Sequence, residues 1–369
     1  MFVLFLGIGS SPHVYRLAAA VRARGHRVGI VSEDKFGPFP EIGDLPLYLL
    51  PSNASFARRA LVLRRLLAEL EPDVLHAHVI NVGGYLGTAS GFHPHVLSVW
   101  GSDVLIAPQR GAVHRLRTML TLRAADWLLS PSRTTQQAMD TLGRGPAHND
   151  IVQWGVDLRH FRPAAAAPAA PVVLSVRALQ PLYNQDVMLA AWPAVLAAHP
   201  AAELHLVRYL PDAAFERALR AQIERLGIGA SVRFVDGFGY AALPGALHAA
   251  AAVVSIPSSD GTPVSVLEAM ACGTPVIVSD LPSLRDWVRE GESGLLCPPR
   301  DAAQLAAQLQ RALALPAGER TRMGAAARGV IAARGDREQA LAGLEDIYAR
   351  AMAERRGGYV RTLRNVLIP

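Results

Sequence analysis

Short apolar runs of strand length alternate with helical stretches along most of this chain, in two separate series. That pattern confines the fold to a parallel α/β architecture repeated twice. The first series holds Phe2–Leu6, Val28–Val31, Val74–His76 and Val96–Val99. The second starts at Val172–Val176 and continues through Leu204–Val207, Val232–Phe234, Val253–Ile256 and Val276–Val278. Between them lies Pro163-Ala-Ala-Ala-Ala-Pro-Ala-Ala-Pro171, whose prolines interrupt both helix and sheet pairing and read as a linker. A chain of 369 residues with 51% hydrophobic content is long enough to bury two cores. The expected domains are 1–163 and 172–349, joined by 164–171 and followed by a terminal segment from 350. Arg337–Arg350 reads as a helix and Ala351–Pro369 as a tail with Arg355, Arg356, Arg361 and Arg364. Two such units are expected to face each other across a cleft at the C-terminal ends of their strands, where open α/β sheets bind ligands.

The richest stretch for chemistry is Ser258–Asp280, SSDGTPVSVLEAMACGTPVIVSD. Val266–Ala271 consists of good helix formers and Gly273 supplies a stop, so Asp260 lies in the loop ahead of a helix and Glu268 inside it. Unpaired N–H groups and the dipole at that helix start favour phosphate, and a carboxylate such as Glu268 can accept both hydroxyls of a ribose. The stretch reads as a nucleoside diphosphate site.

This string resembles the acid-x7-acid element of retaining GT-B glycosyltransferases of family 4, in which the first acid is usually Glu and is Asp260 here. The resemblance implies two Rossmann-like domains, with the terminal helix crossing back to the first. It places Gly261, Thr262, Pro263 and Val264 against the donor sugar and Glu268 on the ribose. Ser175-Val-Arg177…Tyr183-Asn184 is similar to the family's Arg…Lys-Gly element, whose cations hold the diphosphate. Arg177 matches, but the lysine falls at about Tyr183, and Lys35 is the only lysine of the chain. Arg208, just after Leu204–Val207, is the expected substitute cation. Gln153-Trp-Gly155-Val-Asp157…Phe161-Arg-Pro163 also matches a family boundary element.

Three elements belong to the first half. Gly7-Ile-Gly9-Ser10-Ser11-Pro12 turns from a strand into a helix, with Glu33-Asp34 about twenty residues on, the outline of a dinucleotide site lacking its third glycine. In the family this loop closes over donor phosphates and acceptor, so Gly9 and Ser10 are the expected backbone contacts. Pro72-Asp-Val-Leu-His76-Ala-His78 carries two histidines at i and i+2, a spacing open to zinc, but no third ligand stands at recognisable spacing. Ser98-Val-Trp100-Gly101-Ser102-Asp103 has Trp where many members have His, which reads as a subgroup trait. The resemblance assigns catalytic roles to Asp260, Asp103 and Arg177, and an acceptor side to His13, His78 and Trp100.

The net charge is +6, almost entirely arginine, yet no dense basic tract interleaved with aromatics argues for nucleic acid. Cys272 and Cys297 lack metal or redox spacing, and the pattern fits a reducing cytoplasm. Met1–Leu6 is a strand rather than a signal, and no apolar run reaches the roughly 18 residues of a membrane span. Ser55–Leu70 sets Arg58 and Arg65 opposite Phe56, Leu63, Leu67 and Leu70. That helix either packs on the first sheet with a solvated face or makes peripheral contact with the inner face of a membrane.

The resulting expectation is a cytoplasmic, metal-independent transferase without a cofactor. It moves a hexose or N-acetylhexosamine from a UDP or GDP sugar to a hydroxyl of a sugar, lipid or small-molecule acceptor, with retention. Envelope glycan, glycolipid and metabolite glycosylation are all open to it. A catalytically silent GT-B nucleotide- or glycan-binding protein, a nucleotide-sugar epimerase and a nicotinamide enzyme are the alternatives.

Overall fold

The computed structural model describes residues 1–39, 41, 43–142, 148–164 and 168–355. Two compact units form, Met1–Trp154 together with Glu338 onward, and Gly155–Arg337.

The first unit runs β1 (Phe2–Leu6), α1 (Pro12–Ala23), β2 (Arg27–Glu33), β3 (Leu47–Leu50), α2 (Phe56–Leu70), β4 (Val74–His78), α3 (Tyr85–Ser90), β5 (His95–Ser98), α4 (Ser102–Leu105), α5 (Ala112–Ala124), β6 (Trp127–Ser130), α6 (Arg133–Leu142) and β7 (Asn149–Ile151). Its strands pair in parallel in the order β3-β2-β1-β4-β5-β6-β7. Alternate residues of β1 serve opposite faces, as strand geometry requires. Leu4 and Leu6 join Leu63, Leu67, Leu86, Leu122 and Met139 from α2, α3, α5 and α6, while Val3 and Phe5 meet Val14, Ala18 and Val21 of α1. Ser11 caps α1 by accepting from His13 N–H, and Pro12 occupies the first turn, where its missing N–H costs nothing.

The second unit runs β8 (Val172–Ser175), α7 (Gln185–Ala198), β9 (Glu203–Arg208), α8 (Ala213–Leu226), β10 (Val232–Asp236), α9 (Leu243–Ala249), β11 (Ala252–Ser255), α10 (Val264–Ala271), β12 (Val276–Ser279), α11 (Pro282–Arg285), β13 (Leu295–Cys297), α12 (Ala302–Leu313) and α13 (Ala317–Arg334). Its parallel order is β10-β9-β8-β11-β12-β13. Helices α7, α8 and α12 cover one face through Trp192, Leu219 and Leu309; α9, α10 and α13 cover the other through Leu247, Met270 and Ile331. Both sheets therefore have the Rossmann-like order, reversing beside β1 in one unit and β8 in the other.

The unit boundaries differ from those expected. The Pro/Ala segment is not the point of division, and residues 165–167 within it lie outside the described residues. Gly155 to Phe161 already belongs to the second unit: Val156 bridges to Asp336, Phe161 is buried, and Arg328 Nη1 donates to the Phe161 carbonyl at 2.8 Å. Gly155 has φ +68°, and a Cβ there would collide with the Arg337 backbone, so glycine is required where the two ends of this unit meet. The last helix, α14 (Arg337–Arg355), lays Leu341, Leu344, Ile347, Tyr348 and Ala351 into the core under β1 and α1. The return to the first unit thus starts at 338 rather than 350. The arginine tail expected beyond the helix, with Arg356, Arg361 and Arg364, lies outside the described residues.

On α2, Leu63 and Leu67 are buried, and Arg58 and Arg65 exposed, as expected. Phe56, the first residue of the helix, lies on the same face as Leu63 but is 45% exposed. No helix among the described residues is long and apolar enough to cross a membrane.

Candidate active site

In the second unit the loop after β11 leads into α10, which ends in a Schellman turn. Thr274 N–H donates to Ala269 O and Gly273 N–H to Met270 O, both at 3.0 Å, with Gly273 at φ +71°. Helix α10 starts at Val264 after Pro263, with no side-chain cap. Such a start leaves backbone N–H groups available to an anion. Gly261 and Pro263 are buried, Thr262 and Val264 partly so, and Thr262 Oγ1 donates to the Gly261 carbonyl. The loop is braced from several directions. Asn184 Nδ2 donates to Ile256 O at 2.8 Å, Ser279 Oγ to Pro257 O at 2.7 Å, and Ser283 Oγ to Asp260 O at 2.7 Å.

That bracing fixes Asp260 against Arg177. Arg177 Nη2 donates to Asp260 Oδ2 at 2.8 Å, and each side chain is only 11% exposed. The guanidinium also stacks on the ring of Tyr183, 4.3 Å from its centre. Burial opposes the charge on Arg177, but the Asp260 carboxylate and Tyr183 outweigh it and raise its pKa. The residue standing where the family's lysine is expected thus supports Arg177 through its aromatic face.

Glu268 lies in the second turn of α10 and is buried. Burial, then the Glu268 charge, push the Cys272 thiol up to about 12. Arg208, expected as a second phosphate cation, stands at the end of β9 and is gripped by Glu216 through Nε at 3.1 Å and Nη2 at 3.3 Å. A diphosphate binding there must compete with that carboxylate, which Arg220 also holds.

In the first unit His13 at the start of α1, His78 at the end of β4, Trp100 after β5 and Trp154 after β7 form an aromatic cluster. The His13 ring is 5.4 Å from Trp100 and 5.6 Å from Trp154, and Trp100 meets Trp154 edge-on at 5.6 Å. His78 stacks on Trp154 at 5.4 Å and on Phe5 at 5.8 Å. Neither ring nitrogen of His78 nor Nε1 of Trp100 has a hydrogen-bond partner among the described residues, although all three atoms are buried. Burial, with His13 adding to it, lowers the His78 pKa to about 3, so the ring is neutral. His76 is neutral too, held between Tyr348 OH at 2.6 Å and Ser98 Oγ at 2.7 Å. Among the described residues no group of three His, Cys, Asp or Glu side chains could hold a metal.

Asp103 and Gly9 serve the backbone. Asp103 Oδ1 accepts from the Trp100 and Gly101 amides at 3.0 and 2.9 Å, and Oδ2 from Ile80 N–H at 3.1 Å. Burial raises its pKa against the pull of those donors. Ile80 sits in a π-helical turn, Val79–Gly84, entered with Val79 at φ +63°. Gly83 closes that turn where a Cβ would strike the Leu6 and His78 carbonyls. Asp103 therefore positions the Trp100 loop. The Gly9 amide, expected to face a ligand, donates to Ser32 Oγ at 2.8 Å; Ser10 beside it is partly exposed.

Trp154 and Tyr348 complete this cluster without having been expected in it. The signal for Tyr348 was its spacing from Leu341 and Leu344 along the last helix; for Trp154, its place beside Gly155 marked a boundary rather than a site.

Residues 159–330 match the model of the glycosyl transferases group 1 family, and residues 2–132 that of a glycosyl transferase 4-like domain. A D-inositol 3-phosphate glycosyltransferase from Geodermatophilus obscurus is 31% identical over 325 residues, covering 78% of this chain and 70% of that protein. A glycogen synthase from Mycobacterium tuberculosis is 27% identical over 86% of this chain and 85% of its own length. Among solved structures, sucrose-phosphate synthase from Thermosynechococcus elongatus superposes with a TM-score of 0.81, at 20% identity, over 96% of this chain and 99% of that one. Anabaena HepE in complex with UDP and glucose superposes with a TM-score of 0.78, at 17% identity, over 95% of this chain and all of that one. With its two Rossmann-like sheets on the GT-B α/β plan, this chain belongs to the group 1 glycosyltransferases.

Proposed function

We propose that the protein transfers a hexose or N-acetylhexosamine from a nucleoside diphosphate sugar, UDP or GDP, to a hydroxyl acceptor with retention of anomeric configuration. The observation that carries this reading is the buried Arg177–Asp260 pair at the mouth of α10, with Glu268 inside the same helix. In the transfer the diphosphate oxygens take up Arg177 and the α10 N-terminus, which stabilise the charge that develops as the glycosidic bond breaks. Asp260, released from Arg177, accepts hydroxyls of the sugar, and Glu268 those of the ribose. Asp260 and Asp103 are both engaged in the resting protein, which supports a front-face route in which the leaving phosphate takes the acceptor proton. No metal is required in this scheme.

The unmet hydrogen-bonding capacity of His78 and Trp100 supports an acceptor side built from His13, His78, Trp100 and Trp154, since buried polar atoms normally find partners. Cys272 and Cys297 are free and buried, and burial pushes their thiols up to about 12 and 11, so neither is poised as a nucleophile. The test is release of nucleoside diphosphate from a panel of nucleotide sugars, with the anomeric product read by proton NMR. Release that slows on the order of a hundredfold or more in Asp260→Asn and Arg177→Ala supports the assignment. Release that is the same in both variants rejects it.

A further inference from the structure

We propose that the first turns of α5 form a docking face for an anionic lipid surface. Beyond Leu122 and Met119, which pack on the sheet, this helix carries a second apolar stripe on its solvent side. Thr118 and Thr121 turn inward, their hydroxyls donating back to the His114 and Arg117 carbonyls at 2.9 Å, while Val113, Leu116 and Leu120 stand 61%, 55% and 44% exposed. Those three residues recur at i, i+3 and i+7, so they form one apolar stripe on the solvent side. A helix that packs only on its own sheet places such leucines inward and its polar residues outward.

The charge around the stripe selects the occupant. Between Asp103 and Asp126 the chain has no acidic residue, and it carries Arg110, Arg115, Arg117 and Arg123 with His114. Arg110, Arg115 and Arg117 are exposed alongside the stripe. Of the helices packed beside α5, α3 carries no acid, and Asp140 of α6 stands near the C-terminal end of that helix. Helices of a parallel sheet begin at the C-terminal ends of its strands, so the start of α5 lies at that edge, at the opposite end from Asp140. Leucine and valine flanked by arginine, without acids, is the composition of an interfacial helix that buries its apolar side among acyl chains and pairs its cations with lipid phosphates. Residues 109–117 are all exposed, so the start of α5 and the turn before it present this surface to solvent.

This face is a more complete lipid contact than α2, where Arg58 and Arg65 accompany Leu61 and Phe56 but share the helix with Glu69. The same strand edge carries Trp100, two residues after β5. Resting on the transferase reading for this one consequence, the acceptor is a hydroxyl presented at a lipid surface.

The test is co-sedimentation of the full chain with vesicles of phosphatidylcholine and phosphatidylglycerol in equal parts, against vesicles of phosphatidylcholine alone. Two double variants are compared, Leu116→Gln with Leu120→Gln, and Arg115→Gln with Arg117→Gln. All four positions are solvent-exposed, so thermal stability and nucleotide-induced stabilisation should stay as in the wild type. Those controls do not depend on vesicles, so a failed transferase reading stays separate from a failed docking face. The proposal expects salt-sensitive binding to anionic vesicles only, reduced on the order of tenfold in each double variant. Absence of wild-type binding at low salt overturns it, as does equal binding by the variants. Self-association in solution that both double variants abolish, without vesicle binding, also overturns it by assigning the face to a second copy of the chain.

Discussion

Arg177 and Asp260 come together at 2.8 Å from loops that are 83 residues apart in sequence, one after β8 and one after β11. Those strands are neighbours in the sheet and flank the point where its order reverses, so the topology delivers both side chains to the same place. Each neutralises the other in a buried setting, and in the proposed transfer a bound diphosphate sugar gives each a new partner.

In the proposed transfer Arg177 is the cation that meets the leaving diphosphate, and its removal also leaves Asp260 buried without that partner. Arg177→Ala is expected to lower kcat/KM on the order of 10²–10³-fold, mostly in kcat. Arg177→Lys keeps the charge but loses the planar stacking on Tyr183, so steady-state kinetics should place it between the alanine variant and the wild type.

Glu268 is expected to act in binding more than in chemistry. Loss of two hydrogen bonds to an ionised acceptor is worth about 1.5–3 kcal/mol each, so Glu268→Ala should weaken nucleotide affinity by at least about tenfold. Calorimetric titration with the nucleoside diphosphate checks this, and unchanged affinity contradicts the assignment.

Tyr348 fastens α14 to the first unit through His76. Tyr348→Phe keeps the ring and removes the hydroxyl, leaving a buried imidazole nitrogen without that bond. It is expected to destabilise the first unit by about 1–3 kcal/mol. Scanning calorimetry should show a lower transition temperature, while the variant still binds nucleotide in the second unit.

The buried histidines set a pH dependence. His78 is lowered to about 3 and His95 to about 4, in both cases chiefly by burial. Both lie below the ordinary value near 6.5, so the unfolded chain binds more protons than the folded one between those limits. Stability is therefore full above about pH 6.5 and falls as pH drops toward 4 and then 3. Melting temperatures from pH 7 to pH 4 should decline, and His78→Phe should flatten the His78 part of that decline.

The two parallel sheets were legible because their inner strands are apolar runs, and the loop and helix around Asp260 and Glu268 because a strand, a carboxylate loop, a helix and a glycine stop stand in order. Less visible were the short edge strands Leu47–Leu50 and Leu295–Cys297, which carry too few residues to show a period. The Pro/Ala run misplaced the division between units. Composition marks where chain breaks pairing, whereas the real division depends on Val156 pairing with Asp336, a contact 180 residues apart that no local pattern announces. The family resemblance gave Asp103 a catalytic role. It could not show that three backbone amides occupy its carboxylate. Glu216 on Arg208 and Ser32 on Gly9 are likewise pairings of tertiary structure alone.

The most direct test of the account is thermal stabilisation by UDP, GDP, ADP and TDP and their sugars, for the wild type and Glu268→Ala, because a ligand of the native state must raise the melting temperature. The account predicts a rise with UDP or GDP, a larger rise with one of its sugars, and loss of both in Glu268→Ala. No rise with any nucleotide, or a rise that is unaltered in the variant, would contradict the assignment of the donor site to the loop and helix between Asp260 and Glu268.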